Sequence, residues 1–254
     1  ELYPPKRGDE HRVANRSDFK KIEVGALIAG GGIAGSALFR YMADSGLNPV
    51  LVNADRGSSW RNIGGGRTAF SLPELAEIAE HNHAIFKELQ KISNIDYKTT
   101  RYINLAHDEP TFNALDASRA WSDAYMVDPK NFQKEISPYF STKSKRYLGA
   151  LITNDCWQAT PGKVVDLIRN MGISAGGRIV EDCKVLEVMK EGSTYSILVL
   201  THDKKYVEFR TEIFVNALGA GAGKICEGLG IHAGLYPVRH QAFITRRLPM
   251  LGKN

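Results

Sequence analysis

The 254-residue sequence predicts an α/β fold that combines a parallel sheet with an antiparallel one. The first indication is an apolar run at residues 24–29, which passes directly into glycines and is typical of a strand buried on both faces. A helical segment at 36–45 and a second apolar run at 49–53 complete a β-α-β unit. The alternating segments 195–200 and 206–209 flank a polar turn and predict an antiparallel hairpin.

The helix of the β-α-β unit is predicted from its apolar spacing. We expect Gly46 to end it in the left-handed conformation, which glycine adopts without strain. The residues predicted to face inward are Ala37, Leu38, Tyr41 and Met42.

The other elements follow from the same periodicities. A helix is expected to begin at a capping box, Ser71-x-x-Glu74, with Pro73 in its first turn, and to reach about Ile92. Another is expected at 161–171, with Thr160 placed to cap it. The remaining predictions are helices at 115–121 and 129–136, strands at 102–105, 147–152, 179–180, 184–189 and 212–215, and an extended tail at 235–245.

Charged residues are spread along the chain and are not concentrated in one arm. Lys and Arg number 33 against 28 Asp and Glu, and this net charge of +5 favours anionic ligands. The densest basic groups, 143–146 and 246–247, are short, so the sequence does not predict a nucleic-acid partner. No apolar run approaches the ~20 residues of a membrane span, and none is predicted.

The number and spacing of the cysteines indicate the cellular compartment. Cys156, Cys183 and Cys226 are odd in number and far apart, so we predict neither a disulfide framework nor a metal site. Residues 1–23 are polar and lack the apolar core of a secretory signal. A reducing, cytoplasmic location is therefore the expectation.

A glycine motif follows the first predicted strand and opens the first helix. It reads Gly30-x-Gly32-x-x-Gly35, in which the glycines allow a tight turn, close approach of a pyrophosphate, and close packing of helix on strand. The N–H groups at the helix start, at Ile33 and Ala34, would then face the phosphates. The motif in this context predicts a Rossmann-like dinucleotide site.

The position that usually binds the ribose departs from the pattern. An acidic residue is expected at the end of the second strand, but Asn53 stands there, 18 residues after Gly35. Its amide can donate to and accept from hydroxyls without a charge. We assign Asn53 and the following Ala54 to the site, and Asp55 is the alternative acidic candidate.

Further motifs give a resemblance to a known family. They are an S-x-R-N-x-G-G loop within 58–67, Gly149 followed later by Ala159–Thr160–Pro161, a strand at 184–188, an N-A-x-G-A-G stretch at 216–221, and residues 237–241. In this order and spacing, from Val24 to Pro249, the sequence resembles the D-amino acid oxidase/sarcosine (glycine) oxidase family of FAD-dependent oxidoreductases. The resemblance implies FAD as cofactor and a glutathione-reductase-type FAD fold, with an interleaved antiparallel-sheet substrate domain.

The resemblance also implies which residues hold FAD. The loop after the second strand would lie along the pyrophosphate and the flavin, and a later strand would meet the adenine through its backbone. The residues carried over are Ser59, Arg61, Asn62, Gly64, Gly65, Gly66, Val185, Ala217, Gly219 and Ala220.

Domain bounds follow from the same resemblance. Residues 1–23 would be a polar extension, 24–96 with 146–234 the FAD-binding domain, and 97–145 with 235–254 the substrate domain. In the family the chain continues past this point, so the substrate domain is expected to be incomplete at its C-terminal end. A second chain could supply the missing part.

The implied reaction is oxidation of a C–N bond in an amine or amino acid, with hydride transfer to flavin N5. A basic side chain would bind the carboxylate of such a substrate. Arg239 and His240 are the candidates, and they lie on opposite faces of a predicted strand. No catalytic residue is assigned, and the electron acceptor, oxygen or another, stays open. Two alternatives stay open as well: oxidation of a hydroxy acid or a glycerol 3-phosphate-like alcohol, and a redox-inactive fragment that serves as a binding or assembly subunit.

Overall fold

A computed structural model describes residues 19–54, 56–141, 146–239 and 241. Among them, two compact units are distinguished. The first contains residues 19–54 and 172–236, and the second contains 56–141, 146–171, 237–239 and 241.

The regular elements are as follows. The strands are β1 (Lys20–Glu23), β2 (Ala26–Ala29), β3 (Pro49–Val52), β4 (Gly65–Gly66), β5 (Lys98–Ala106), β6 (Ala124–Val127), β7 (Gly149–Gln158), β8 (Arg178–Val180), β9 (Lys184–Glu191), β10 (Thr194–Leu200), β11 (Tyr206–Thr211) and β12 (Phe214–Asn216). The helices are α1 (Ile33–Asp44), α2 (Ser58–Arg61), α3 (Pro73–Ile92), α4 (Glu109–Ala117), α5 (Phe132–Glu135), α6 (Pro161–Ser174) and α7 (Ala222–Gly228). Short 3₁₀ turns cover Ser118–Trp121, Pro129–Asn131 and Gly219–Gly221.

A parallel sheet forms the centre of the first unit, with strand order β12-β2-β3-β8. Helix α1 connects β2 to its neighbour β3, so the predicted β-α-β unit is confirmed. Gly46 follows α1 with φ +77°, as predicted for the end of this helix. All four strands have their carboxyl ends at one edge, which is where open α/β sheets bind ligands.

The two faces of this sheet pack against different partners. Leu27 and Val50 face the apolar side of the unit's second sheet, where Ile197 and Phe209 lie. The alternate residues, Ile28 and Leu51, pack against Phe39 of α1. Burial on both faces explains why β2 and β3 are continuous apolar runs.

The inner face of α1 differs from the prediction. Of the predicted residues, Met42 packs against the core as expected, but Leu38 and Tyr41 are 40% and 51% exposed, and Phe39 and Ala43 are buried. The reason lies at the helix start, because a Cβ on Gly35 would come within 1.9 Å of the Gly30 carbonyl oxygen. Gly35 must therefore face the sheet, and the buried stripe follows from it at one-turn intervals.

The second sheet of the first unit has strand order β1-β11-β10-β9. Strands β10 and β11 form the predicted antiparallel hairpin, with Leu200 opposite Tyr206. Strand β1, predicted as part of the polar extension 1–23, instead pairs in parallel with β11. Its alternating burial is too weak over four residues to be recognised from the sequence.

The second unit is built on an antiparallel sheet in which β7 pairs with β4, β5 and β6. The predicted strands at 102–105 and 147–152 are present but longer, and β6 was not predicted. Asn154 and Asp155 interrupt the apolar pattern of β7, which explains why its second half is not visible in the sequence. Residues 56–96 and 146–171 group with this sheet by their contacts.

Helix α3 begins without the predicted capping box. Leu72 is the N-cap residue, and Pro73 is the first helical residue. The apolar residues Leu75 and Ile78 are 43% and 57% exposed, and the predicted end of the helix at Ile92 is confirmed. The buried positions are Ala76, Ala79, His83 and Leu89. Within the described ranges, no helix has both the length and the apolar character needed to cross a membrane.

Candidate functional site

Three loops meet at the carboxyl edge of the parallel sheet. Gly30 follows β2, Asn53 follows β3 and Ala217 follows β12. Backbone hydrogen bonds continue across this edge, from Gly30 N to the Val52 oxygen and from Ala217 N to the Ala29 oxygen, each 2.8 Å long. The edge therefore has a fixed shape at the point where α1 begins, with neighbours of β2 on both sides.

The first and third glycines of the motif are required by the chain itself. Gly30 has φ +104°, and a Cβ there would lie 2.3 Å from the Ala217 carbonyl oxygen. Gly35 must accommodate the Gly30 carbonyl. Gly32, the N-cap of α1, has φ −67°, a conformation open to any residue. Backbone conformation and close contacts thus account for Gly30 and Gly35, whereas the φ angle of Gly32 gives no reason for a glycine there.

Asn53, the predicted ribose-binding residue, forms hydrogen bonds within the protein. Its side chain is buried, its Oδ1 accepts from Gly31 N at 3.1 Å, and its Nδ2 donates to Glu181 Oε2 at 2.7 Å. The adjacent Ala54 is exposed. Asn53 holds the glycine turn and a carboxylate together.

Sequence reasoning missed Glu181. It directly follows β8, just as Asn53 directly follows β3, and β3 and β8 are neighbours with Val52 opposite Val180. The available signal was an acidic residue at the end of a predicted buried strand. That signal has meaning only once the strand order is known.

The other assigned residues of the first unit lie in two places. Val185 is half-buried in β9, and its side chain packs on the core shared by the two sheets. Gly219, with φ +57°, and Ala220 lie in the 3₁₀ turn after β12. Beside them, Asn216 donates from Nδ2 to the Ala222 oxygen, and its Oδ1 is buried without a hydrogen-bond partner among the described residues.

In the second unit, Asn62 shapes the loop assigned to FAD. Its Nδ2 donates to the Ser59 oxygen and its Oδ1 accepts from Gly64 N, both at 2.7 Å. Gly64 has φ +71°, and a Cβ there would lie 2.0 Å from the Ala159 oxygen. The side chain of Asn62 therefore acts as a structural link across the turn.

The end of the same loop packs on an aromatic stack. A Cβ on Gly66 would lie 2.1 Å from the Trp157 ring, and Gly65 pairs with Gln158 in the sheet. Trp157 also stacks on His83, with centroids 4.5 Å apart and planes 7° from parallel. Gly66 is glycine because an indole occupies the place of its side chain.

Trp60 occupies the centre of helix α2. The Arg169 guanidinium lies 5.0 Å from its ring centroid, and its indole Nε1 is buried without a hydrogen-bond partner among the described residues. On either side of it, Ser59 is half-buried and Arg61 is exposed. A buried indole N–H usually finds an acceptor, so this loop presents a donor that the described protein atoms do not satisfy.

Arg67 was noted only as the end of the glycine loop, and the structure gives it a defined environment. It is half-buried, its guanidinium lies 4.6 Å from the Phe70 ring and 5.3 Å from the Tyr102 ring, and it donates to Asn104 Oδ1 at 3.1 Å. Aromatic contacts and a hydrogen bond fix the fork of a guanidinium in one plane. An arginine directly after three glycines was the signal in the sequence.

His83 is a buried packing residue. Its Nε2 lies 2.6 Å from the Tyr97 hydroxyl, and its Nδ1 lies 3.4 Å from Asp155 Oδ2. Burial lowers the pKa of His83 most; the Asp155 carboxylate opposes this shift, and Lys87 adds to it. Burial therefore favours the neutral form of the imidazole.

The structure describes only one of the two predicted substrate residues. Arg239 is exposed in a segment without helix or strand, and His240 lies outside the described residues. The three cysteines are free thiols. Over the described ranges, no group of three His, Cys, Asp or Glu side chains could hold a metal ion.

The parallel sheet, the helix start and the glycine turn define a dinucleotide-binding protein of the Rossmann type. The model of one family, DAO, described as FAD dependent oxidoreductase, matches residues 26–253. The chain belongs to this family, which confirms the predicted family, the fold class and FAD as its cofactor.

Individual relatives agree with this membership. A curated relative, "Anaerobic glycerol-3-phosphate dehydrogenase subunit A1" of Haloferax volcanii, is 26% identical over 83% of this chain and 39% of its own length. Two solved structures, L-proline dehydrogenase from P. horikoshii and glycine oxidase from Geobacillus kaustophilus, give TM-scores of 0.69 and 0.67 at 19% identity. They cover 84% and 82% of this chain, which spans 56% and 58% of theirs. These likenesses establish the fold, and the matched part of the chain spans little more than half the length of the solved relatives.

Proposed function

We propose that this chain is the FAD-binding part of an oxidoreductase that acts on a small anionic substrate. The observation that carries the proposal is the edge of the parallel sheet, where the loops of Gly30, Asn53 and Ala217 meet at the amino end of α1. A helix start at the carboxyl ends of parallel strands offers N–H groups and a partial positive charge to a pyrophosphate.

The residues present fit an adenine dinucleotide. Gly32 is not required by its own backbone conformation, so close approach of a phosphate is the reason that supports glycine there. As the residue at the helix start, it has no side chain that could cover the first N–H groups. Gly30, Gly32, Ile33, Ala34 and Gly35 would accordingly hold the pyrophosphate.

The fit extends to the second unit, taken by itself. Around Trp60, Ser59 and Arg61 provide further donors, and the buried indole N–H is a donor without an acceptor in the described structure. Donors of this kind suit phosphate and flavin ring atoms. We propose this loop, through Gly66, as the flavin-side contact.

FAD, when bound, supplies the acceptor for a hydride from the substrate. The contribution of the chain is to bind and orient. Arg67 supports an anionic substrate, because its guanidinium is held by contacts with two aromatic rings and has donors beyond the one that binds Asn104. Arg67 therefore replaces Arg239 and His240 as the residue we propose for binding a substrate carboxylate or phosphate.

The substrate class has two candidates. We propose an amine or amino acid oxidised at its C–N bond, and the names of the proline dehydrogenase and glycine oxidase structures support this class. A glycerol 3-phosphate-like alcohol is the second candidate, supported by the name of the curated relative. Both bring an anionic group to Arg67. A cytoplasmic location and a second chain that completes the fold stay predictions from the sequence.

An absorbance spectrum of the purified protein tests the proposal. We expect the bands of oxidised flavin, either as purified or after addition of FAD and removal of the excess. Anaerobic addition of amino acids, N-methylated amines, hydroxy acids and glycerol 3-phosphate should then bleach the bands with one class only. A colourless protein that takes up no FAD would reject the proposal and favour a redox-inactive binding or assembly subunit.

A further inference from the structure

The ribose position of the nucleotide site lacks its usual acidic residue, yet a carboxylate lies beside it. Asn53 ends β3, where a carboxylate normally accepts hydrogen bonds from the ribose of a bound dinucleotide. The Asn53 amide is already shared between Gly31 N and Glu181 Oε2. The carboxylate of Glu181 thus lies one amide group away from the glycine turn.

The backbone holds Glu181 in this place. Asn53 N donates to the Val180 oxygen at 3.0 Å, and the Asn53 oxygen accepts from Cys183 N at 2.9 Å. These two bonds clamp the turn that contains Glu181 onto the end of β3. The Cys183 thiol also donates to the Glu181 carbonyl oxygen at 3.1 Å, within the same turn. The carboxylate is therefore presented from a rigid turn at the nucleotide edge.

We propose that Glu181 binds the ribose hydroxyls of the adenosine half of the dinucleotide, in place of an acidic residue at position 53. This inference rests on the proposed FAD site. A carboxylate has lone pairs for about four hydrogen bonds, so it can accept from a ribose diol as well as from Asn53 Nδ2. Hydrogen bonds to a charged acceptor are also stronger than those to a neutral amide.

The identity of residue 53 follows from the same arrangement. With aspartate at 53, two carboxylates would meet at the 2.7 Å contact that Asn53 Nδ2 now makes with Glu181. Such a pair is repulsive unless one group takes up a proton. Asparagine removes the repulsion, donates to Glu181 and still accepts from Gly31 N. Asn53 is thus a positioning residue. The negative charge at the ribose is supplied by Glu181, which follows the neighbouring strand β8.

Calorimetric titration of flavin-free protein with ADP and with 2′,3′-dideoxy-ADP tests the proposal. The two probes share the adenine and the pyrophosphate and differ only in the ribose hydroxyls. We expect the unaltered protein to bind ADP about tenfold more tightly or better, as charged hydrogen bonds imply. Glu181→Gln should lose this preference, and binding of dideoxy-ADP should stay nearly unchanged.

Two further variants serve as controls. Asp182→Asn removes a charge from the next residue, which is exposed and has φ +53°, a conformation that asparagine tolerates. It should keep the preference for ADP. The double variant Asn53→Asp/Glu181→Gln restores one carboxylate and one amide in exchanged positions, and it should regain the preference. It also decides the matter if Glu181→Gln alone does not fold, as judged by circular dichroism.

The outcomes separate the two proposals. A Glu181→Gln protein that prefers ADP as strongly as the unaltered protein overturns the assignment of Glu181 and leaves the FAD site standing. If the double variant does not regain the preference for ADP, the proposal that residues 53 and 181 can exchange roles is overturned as well. A protein that binds neither ADP nor FAD rejects the nucleotide site itself, and the assignment of Glu181 with it.

Discussion

At the scale of single residues, side chains that look like ligands in the sequence do structural work in the fold. Asn53 and Asn62 were both assigned to the cofactor from their positions in motifs. In the structure each closes a turn with its amide oxygen, which accepts from Gly31 N in Asn53 and from Gly64 N in Asn62. Short polar side chains next to glycine-rich turns are well suited to this, because they replace backbone partners at close range.

The carboxylate that accompanies Asn53 could not be predicted. Glu181 stands 128 positions away in the chain and reaches Asn53 only because β8 adds to the sheet beside β3. Local spacing identifies the glycine turn, whose parts are adjacent in the sequence. It carries no information about which distant strand becomes a neighbour.

His83 gives a prediction of pH dependence. Its folded-state pKa is lowered, first by burial, from the ordinary value of about 6.5. The unfolded chain therefore binds the proton more readily than the folded one. The contribution of His83 to stability is complete above pH 6.5 and is lost as the pH falls through the folded-state pKa. Urea denaturation at pH 7.5, 6.5 and 5.5 should show a declining free energy of unfolding.

Two glutamine variants on the same helix isolate this effect. His83→Gln should flatten the decline between pH 7.5 and 5.5, at some cost in stability from the lost stack on Trp157. His81→Gln removes an exposed histidine two residues away and should leave the slope unchanged. Equal slopes in the two variants would contradict the assignment of the decline to His83.

At the scale of elements, the sequence predicts what is local and misses what depends on packing. The β-α-β unit and the β10–β11 hairpin are confirmed, because each is specified within a few tens of residues by apolar runs and turn residues. Strand β6 and the second half of β7 were missed. Their apolar patterns are weak, and both are ordered by pairing: β6 pairs with residues 150–153 of β7, and the second half of β7 pairs with β4 and β5.

The face of α1 that packs on the sheet yields a second prediction. Phe39→Ala should reduce the free energy of unfolding by about 3–5 kcal/mol, because Phe39 is fully buried against Ile28 and Leu51. Leu38→Ala, on the same helix but 40% exposed, should cost less than about 1 kcal/mol. Chemical denaturation of the two variants compares them directly. If Leu38→Ala loses more free energy of unfolding than Phe39→Ala, the buried face of α1 is the one predicted from the sequence.

At the scale of the whole molecule, the nucleotide site predicts stabilisation by ligand. FAD that binds only the folded chain should stabilise it by about 2.7 kcal/mol at a concentration 100 times Kd. For a chain of this size, 1 kcal/mol corresponds to roughly 2–4 °C in Tm. We therefore expect FAD to raise Tm by roughly 5–10 °C in a thermal scan.

Comparison of ligands makes this scan specific. FMN lacks the adenosine and the second phosphate that the first unit is proposed to hold, so it should raise Tm much less. Gly32→Trp places a bulky side chain at the start of α1 and should abolish the shift by FAD, with the Tm of the ligand-free protein as its reference. If FAD raises the Tm of this variant as much as that of the unaltered protein, the pyrophosphate does not bind at the start of α1.

The glycine turn has a consequence for how such chains should be compared. Two of its three glycines, Gly30 and Gly35, are fixed by contacts of the polypeptide with itself, and so are Gly64 and Gly66 in the second unit. A descendant that had abandoned its coenzyme would still need all four in order to fold. We therefore expect Gly32 and Glu181 to drift first in such a lineage, and they are the positions at which a working flavoprotein could be told from an inactive paralogue.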